Sequence, residues 1–420
     1  MKFVTTLYFR IVLSSLWFLP FVLHAQRTLS PGDIIHENLK LYSFQTPYAG
    51  VLDYYSLHNT YLPIIDKVNF RTETNQLDFY QQRYQLRFNF NTFGEQEAMY
   101  HLTTAMRLKY QIRQKNLLRN TLRDIYQDLI SLYFLREEQV IDTVRINIVK
   151  DLRRVYQKML RNNSDFKLND WLENEEDIMQ SEIAILKNKE SSEAIIKRLR
   201  LDSIDGVLTD FEGWISIESI RNYIFSLKMD EDAAMDSEMD IVREEIAGAE
   251  YELEKAKGRK VFDFVQFQYK RNDKWMPGEQ ISIGASFDIP LGMTNRADIN
   301  KAAIKWLEEQ DRRMIQEKQK RRELKKRIDK MDILMKQYDV FVRFVEEQKL
   351  EETYEAYLET NTISPLVLLK IRKIILSQKK KKKSIEHEIF KVYLDILFRS
   401  GVLVQMPLRN YLLENQPVLK

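Results

Sequence analysis

Between Gly94 and Gly206 the chain has neither glycine nor proline, and between Gly292 and Gly401 only Pro365 interrupts. These two residue types are the strongest punctuators of local structure, so such tracts predict helices far longer than the usual three or four turns. The apolar spacing agrees: Leu118, Leu122, Ile125, Leu129 and Leu132 step by four and three in alternation, the seam of a coiled coil. With 30% charged and 44% hydrophobic residues, the chain reads as long amphipathic helices rather than as a compact enzyme.

Each tract carries one break. In "YQKMLRNNSDFKL" and "YEAYLETNTISPL" polar, β-branched and asparagine residues end the helical pattern, at Asn163 and Asn361, each 69 residues past its glycine (Gly94, Gly292). At 1.5 Å per residue that is a helix of about 100 Å. With an offset of 198, Tyr156, Leu160, Asn163 and Leu168 superpose on Tyr354, Leu358, Asn361 and Leu366, the signature of a tandem duplication. After each break a second helical run returns, to about Leu199 and Phe398, so each copy is expected to be a long antiparallel hairpin. Asparagine suits such a reversal because it tolerates positive φ better than most residues. Heptads alone would also fit a generic coiled coil.

Two strands are expected before each long helix. In "ISIGASFDIPLGMTNRADINKAAI" residues Ile281 to Ile289 alternate with period two, and beyond Gly292 the pattern is helical throughout. Val261 to Lys270 forms its companion, and Ile65 to Thr72 with Tyr84 to Phe93 the earlier pair. Leu86, Phe88, Phe90, Val265, Phe267, Ile281, Ile283 and Phe287 fall on one greasy face, with polar or small residues on the other. This is the alternation of a transmembrane β-strand, lipid outside and water inside, although a small sheet capping a helical domain would also alternate. Four strands cannot close a barrel, and open edges in hydrocarbon cost several kcal/mol per unpaired group. Copies from other subunits must close it; three subunits supply twelve strands.

The N-terminus "MKFVTTLYFRIVLSSLWFLPFVLHAQ" combines Lys2 and Arg10 with an apolar core from Ile11 to Leu23 and a small-residue cleavage site, which predicts a secretory signal peptide over residues 1–25. Its removal takes the formal charge from +3 to +1, so no overall field favours nucleic acid. The absence of cysteine excludes a disulfide framework and thiolate chemistry. His24, His36, His58, His101 and His387 form no metal-ligand spacing, and no glycine-rich phosphate loop occurs; neither a cofactor nor catalysis is expected. The lysine run 379–383 and the basic tract Gln319 to Arg327 read as solvated helix faces, with contact to an acidic partner or solute as the sharper alternative. Trp275, with Pro277 and Gly278, reads as an interfacial anchor in the loop between two strands.

In order and spacing, "IGASFDIPLGMTNRADINKAAI", "NTISPLVLLK", "LDILFRSGVL" and "YLPIIDKVNF" together resemble the TolC-like family of outer-membrane efflux proteins, over about Pro63 to Val404. The resemblance implies a mainly α fold with a small β part: two tandem repeats of strand, strand and long helical hairpin, assembled as a homotrimer. Its twelve-stranded barrel would lie in the outer membrane of a Gram-negative bacterium and continue as a periplasmic helical tunnel. The expected divisions are a shortened N-terminal helical segment 26–63, a first repeat 64–201, an equatorial segment 202–236, a second repeat 237–400 and a tail 401–420.

By the same resemblance, Asn162, Asn163, Ser164, Asn361, Thr362 and Ser364 are tip residues facing a periplasmic adaptor and inner-membrane pump, and Asn169, Val367 and Lys370 line the tunnel aperture. Family turns carry glycine where Asn163 and Asn361 stand, and members with an acidic ring place aspartate where Asn169 and Val367 stand here. Three copies of Lys370 would then put positive charge at the constriction. The implied function is passive export of solutes through the exit duct of an efflux or type I secretion system. The alternatives are a non-conducting envelope scaffold of the same fold and a periplasmic coiled-coil adaptor.

Overall fold

The computed structural model describes residues 28–43, 47–57, 63–74, 82–161, 167–201, 208–209, 211, 213–229, 238–271, 279–287, 296–360 and 364–419. The signal-peptide segment and the Trp275 loop lie outside them.

A short strand β1 (Thr28–Leu29) leads into α1 (Pro31–Ser43), and α2 (Ala49–Leu57) follows. Ser30 and Asp33 cap α1 reciprocally: the Asp33 N–H donates to Ser30 Oγ at 3.2 Å and the Ser30 N–H to Asp33 Oδ2 at 3.1 Å. Strands β2 (Ile65–Thr74) and β3 (Gln82–Phe90) precede α3 (Phe93–Arg161), a single helix of 69 residues. β3 stops short of Phe93, which opens α3 instead. The reason is a capping box: the Thr92 N–H donates to Glu95 Oε2 at 2.7 Å and the Glu95 N–H to Thr92 Oγ1 at 3.2 Å.

The return helix α4 (Leu168–Arg198) is followed by β4 (Leu208–Thr209), which pairs in parallel with β1, and by α5 (Ile217–Met229). Then come α6 (Glu238–Gly258), β5 (Phe262–Arg271), β6 (Glu279–Phe287), α7 (Arg296–Gln348), α8 (Leu350–Thr360), α9 (Pro365–Arg399) and a 3-10 turn at Val402–Val404. The second long helix is therefore not continuous. Lys349 takes a left-handed conformation, φ 45°, between α7 and α8. Unbroken, the helix would stack Glu347 against Glu351 at i, i+4, a like-charge pair. With the break, Glu351 reaches Lys379 at 2.8 Å and Glu352 reaches Lys349 at 3.2 Å.

Packing orders the long helices in a row. α4 lies on α3, α3 on α9 and α9 on α7, while toward the sheet α6 packs between α3 and α7. The main core sits midway along the row, where Leu122, Ile125, Leu129 and Leu132 of α3 meet Ile389, Tyr393 and Ile396 of α9 and Met331 of α7. The C-terminal residues close this belt instead of trailing from it. Tyr126 donates its hydroxyl to the Arg409 carbonyl at 3.0 Å, the Ile215 N–H donates to the Leu412 carbonyl at 2.9 Å, and the Ser216 N–H donates to Glu414 Oε1 at 2.7 Å. That last bond holds the Glu414 carboxyl below its ordinary range. Among the described residues no helix is long and apolar enough to cross a membrane.

Candidate channel wall, tip and aperture

The four long strands form one antiparallel sheet in the order β2-β3-β5-β6. Directly opposed residues share a face, so the register shows what each face carries. Phe70, Leu86, Phe267 and Ile283 line up across the sheet, as do Val68, Phe88, Val265 and Ala285. Tyr84, Tyr269 and Ile281 form the next row. Phe90, Phe262 and Phe287 are joined by ring contacts at 5.4 and 5.3 Å. One face is thus apolar across all four strands and includes each strand residue assigned to it from the alternation. The alternation in "KVNFRT" would also have found Val68 and Phe70, which the sequence reading passed over. Much of this face is bare: Phe70 is 66% exposed, Ile281 76%, Ile283 70% and Phe287 63%.

The opposite face carries Asn69, Gln85, Gln266, Gln268 and Ser282 among charged residues. Irregularities in pairing fall at Asp66 and Asp263 near the helical end. The second sets Phe264 opposite Asn89 on the polar face. There the Arg87 guanidinium lies 3.3 Å from the Phe264 ring centroid and pairs with Asp263 at 3.0 Å.

Asn162, Asn163, Ser164, Asn361 and Thr362 lie outside the described residues. The helices flanking them end at Arg161 and Thr360 and restart at Leu168 and Pro365. Ser364 is exposed and stands at the N-cap of α9 without a side-chain cap bond; Pro365 at the first helical position supplies the starting geometry.

Asn169 is exposed and Val367 is 43% exposed, each in the first turn of its helix. Lys370 does not present a free charge. Its ammonium pairs with Asp170 at 2.7 Å, across the flank of α3. That bond raises the pKa of Lys370 and holds Asp170 below the usual carboxylate range. The expected ring of uncompensated lysines is therefore corrected to three internal ion pairs in any trimer, since Asp170 supplies the counter-charge from the same chain. The next residue after Asn169 in the sequence was the missed signal.

The pairing continues along the row. Asp177 of α4 accepts from both Arg145, at 2.9 Å, and Lys373, and Asp142 of α3, 1% exposed, is held by Lys380 at 2.8 Å. The lysine run 379–383 is only in part a solvated face: Lys379 and Lys381 are exposed, yet each member of the run has a partner in its own chain. Lys379 pairs with Glu351, Lys380 with Asp142, and Lys383 with Glu137 at 3.2 Å and Glu386 at 3.1 Å. Lys381 and Lys382 lie over the rings of Phe341 and Tyr338, both at 5.8 Å. Burial works against the charge of Lys383, but Glu386 and Tyr133 more than offset it and its pKa rises. Five consecutive residues cover more than a full helical turn, so the run ties α9 to α3, α7 and α8 at once.

The basic tract on α7 divides in two. Lys320 pairs with Asp240 at 2.6 Å and Arg327 with Asp395 at 2.7 Å, whereas Arg321, Arg322, Lys325 and Lys326 are exposed.

Among the described residues both edges of the molecule are open. β2 and β6 are the terminal strands of the sheet, and α4 and α7 bound the helical row. The bounding helices carry exposed apolar stripes at steps of three, four and seven residues: Leu168, Leu172, Met179, Ile183 and Leu186 on α4, and Ile333, Val340 and Phe344 on α7.

No family model and no curated protein matches the chain. Solved structures do. CusC, studied for folding and transmembrane channel formation, aligns with a TM-score of 0.61 at 11% identity over 88% of this chain and 92% of its own. The outer membrane protein VceC of Vibrio cholerae aligns at 0.58 and 13% identity, over 89% and 93%. The MtrE outer membrane channel of Neisseria gonorrhoeae, in its open state, aligns at 0.59 and 11%, over 88% of each chain. These proteins are channels and outer-membrane proteins, not enzymes, and the fold of this chain is the TolC-like fold.

Proposed function

We propose that this chain is one protomer of a homotrimeric exit duct in the outer membrane of a Gram-negative bacterium, passing solutes outward from a periplasmic adaptor and an inner-membrane pump that meet its helical tips. The observation that carries the reading is the sheet: one face apolar across all four strands and, among the described residues, bare of helices, with both edge strands unpaired. In hydrocarbon such a sheet is stable only when it closes on itself. Because the two edges differ, joining β6 of one copy to β2 of the next is a heterologous contact that closes as a ring. The exposed stripes of α4 and α7 fit the same rotation, each covering the other in a neighbouring copy. The shared fold points to the same use.

A coiled-coil adaptor would use the helical row but leaves the apolar sheet without a role. The experiment is extraction from membranes followed by recording in a planar lipid bilayer. The proposal expects a detergent-requiring trimer with stable single-channel conductance. A monomer soluble without detergent overturns it, and a trimer that never conducts leaves the envelope-scaffold function in its place.

A further inference from the structure

The polar face of the sheet carries unbalanced charge, and among the described residues the surplus is largest at one end. Near the helices carboxylates are at hand: Asp263 is shared between Arg87 at 3.0 Å and Lys260 at 3.6 Å, and Asp66 precedes Lys67 in sequence. At the distal end Glu73 is shared between Arg71 at 2.5 Å and Arg83 at 3.7 Å. Lys270 is exposed and has no carboxylate partner among the described residues. Among the described residues three cations of this face thus meet one carboxylate, a surplus of two positive charges in each copy.

Their placement is not what sheet stability favours. Arg83 and Lys270 stand directly opposite each other on β3 and β5, and like charges in that position are destabilising. Arg83 turns its guanidinium aside to Gln268 Oε1, at 2.6 Å, so it does not neutralise its neighbour. A glutamate at position 270 would serve the sheet better.

We infer that the distal end of the barrel is an anion-selective mouth, so that the duct favours solutes of net negative charge. The inference rests on the proposed duct, in which the polar face lines the lumen. Three copies then place about six such surplus charges from the described residues around a water-filled opening, and within each copy Arg83 and Lys270 are near enough to act together over a screening length of about 8 Å. A ring of one sign raises the local concentration of counter-ions and repels co-ions, the usual origin of charge selectivity in a pore. The preference belongs to the mouth and not to the tip, where Lys370 is neutralised by Asp170.

The test is the reversal potential of the full-length trimer in a planar bilayer under a potassium chloride gradient. The wild type is expected to reverse on the chloride side, with a chloride-to-potassium permeability ratio above one. Lys270→Glu should carry the ratio toward potassium, and Lys270→Gln should shift it in the same direction by about half as much. Both variants remove the opposed like charges, so trimer yield should hold or improve and misfolding is not a rival explanation. A conducting wild type with no preference or a cation preference overturns the inference and leaves the duct standing. Unchanged reversal potentials in both variants also overturn it, by removing the mouth as the source. An absence of any conductance overturns the duct and the inference together.

Discussion

Single residues in this chain matter through what they neutralise. Asp142 is 1% exposed and its carboxylate is held by Lys380, with Asn188 at 3.5 Å as a more distant donor. Removing one partner of a buried pair leaves a charge without solvent or counter-ion, which costs more than the pair contributes. Lys380→Met should therefore lower stability by about 2–4 kcal/mol. The double variant Lys380→Met with Asp142→Leu should recover more than half of that loss, because two apolar groups leave nothing unpaired. Lys381→Ala, next in the run but exposed and in ring contact alone, should stay within about 0.5 kcal/mol of wild type. Thermal unfolding of the detergent-solubilised protein ranks the three; equal losses at 380 and 381 would contradict the assignment. From sequence the five lysines were indistinguishable, since what separates them is which distant carboxylate or ring each one meets.

At the scale of elements, the two long hairpins differ where their sequences align. Position 151, offset by 198 from Lys349, lies inside the unbroken α3, whereas Lys349 interrupts α7 and α8 with a positive φ. A non-glycine residue in that conformation costs roughly 1–2 kcal/mol. Its exposed ion pair with Glu352 returns little. Lys349→Gly should stabilise the protein by up to about 1 kcal/mol, the steric relief being partly offset by the greater freedom of glycine in the unfolded chain. Lys349→Ile, β-branched at the same φ, should destabilise it by about 1 kcal/mol or more. A lower unfolding midpoint for the glycine variant would mean that position 349 is not left-handed in solution. No glycine, asparagine or proline marks this break. Capping boxes at Ser30 and Thr92 were written in the sequence, by contrast, and the second explains why β3 ends before Phe93.

For the whole molecule the sheet faces decide where the protein resides. If the apolar face meets lipid, Phe267→Arg places a guanidinium in hydrocarbon and should cost roughly 2–4 kcal/mol near the bilayer midplane, less toward its edges. Ser282→Arg, on an adjacent strand but on the polar face, should assemble normally. Trimer yield after detergent extraction compares them. Equal impairment of both would count against the facing, and no impairment of either would count against membrane insertion.

Local periodicity was sufficient for the elements themselves, the break at Lys349 excepted: period two for the strands and their greasy face, four-three steps for the seam of α3, and punctuation for the ends of the long tracts. These properties depend on neighbours within a few residues along the chain, which a sequence displays directly. Which face a strand presents is settled once its alternation is read, so Leu86, Phe267 and Ile283 were assignable before any pairing was known. Charge compensation is different, because it depends on residues hundreds of positions apart. Lys370 meets Asp170, Lys380 meets Asp142, and Lys270 stands against Arg83, three contacts that follow from the register and from the order α4-α3-α9-α7. Electrostatic energy falls with distance in space and is indifferent to separation in sequence, so folding decided which lysines were neutralised and which remained exposed in the sheet.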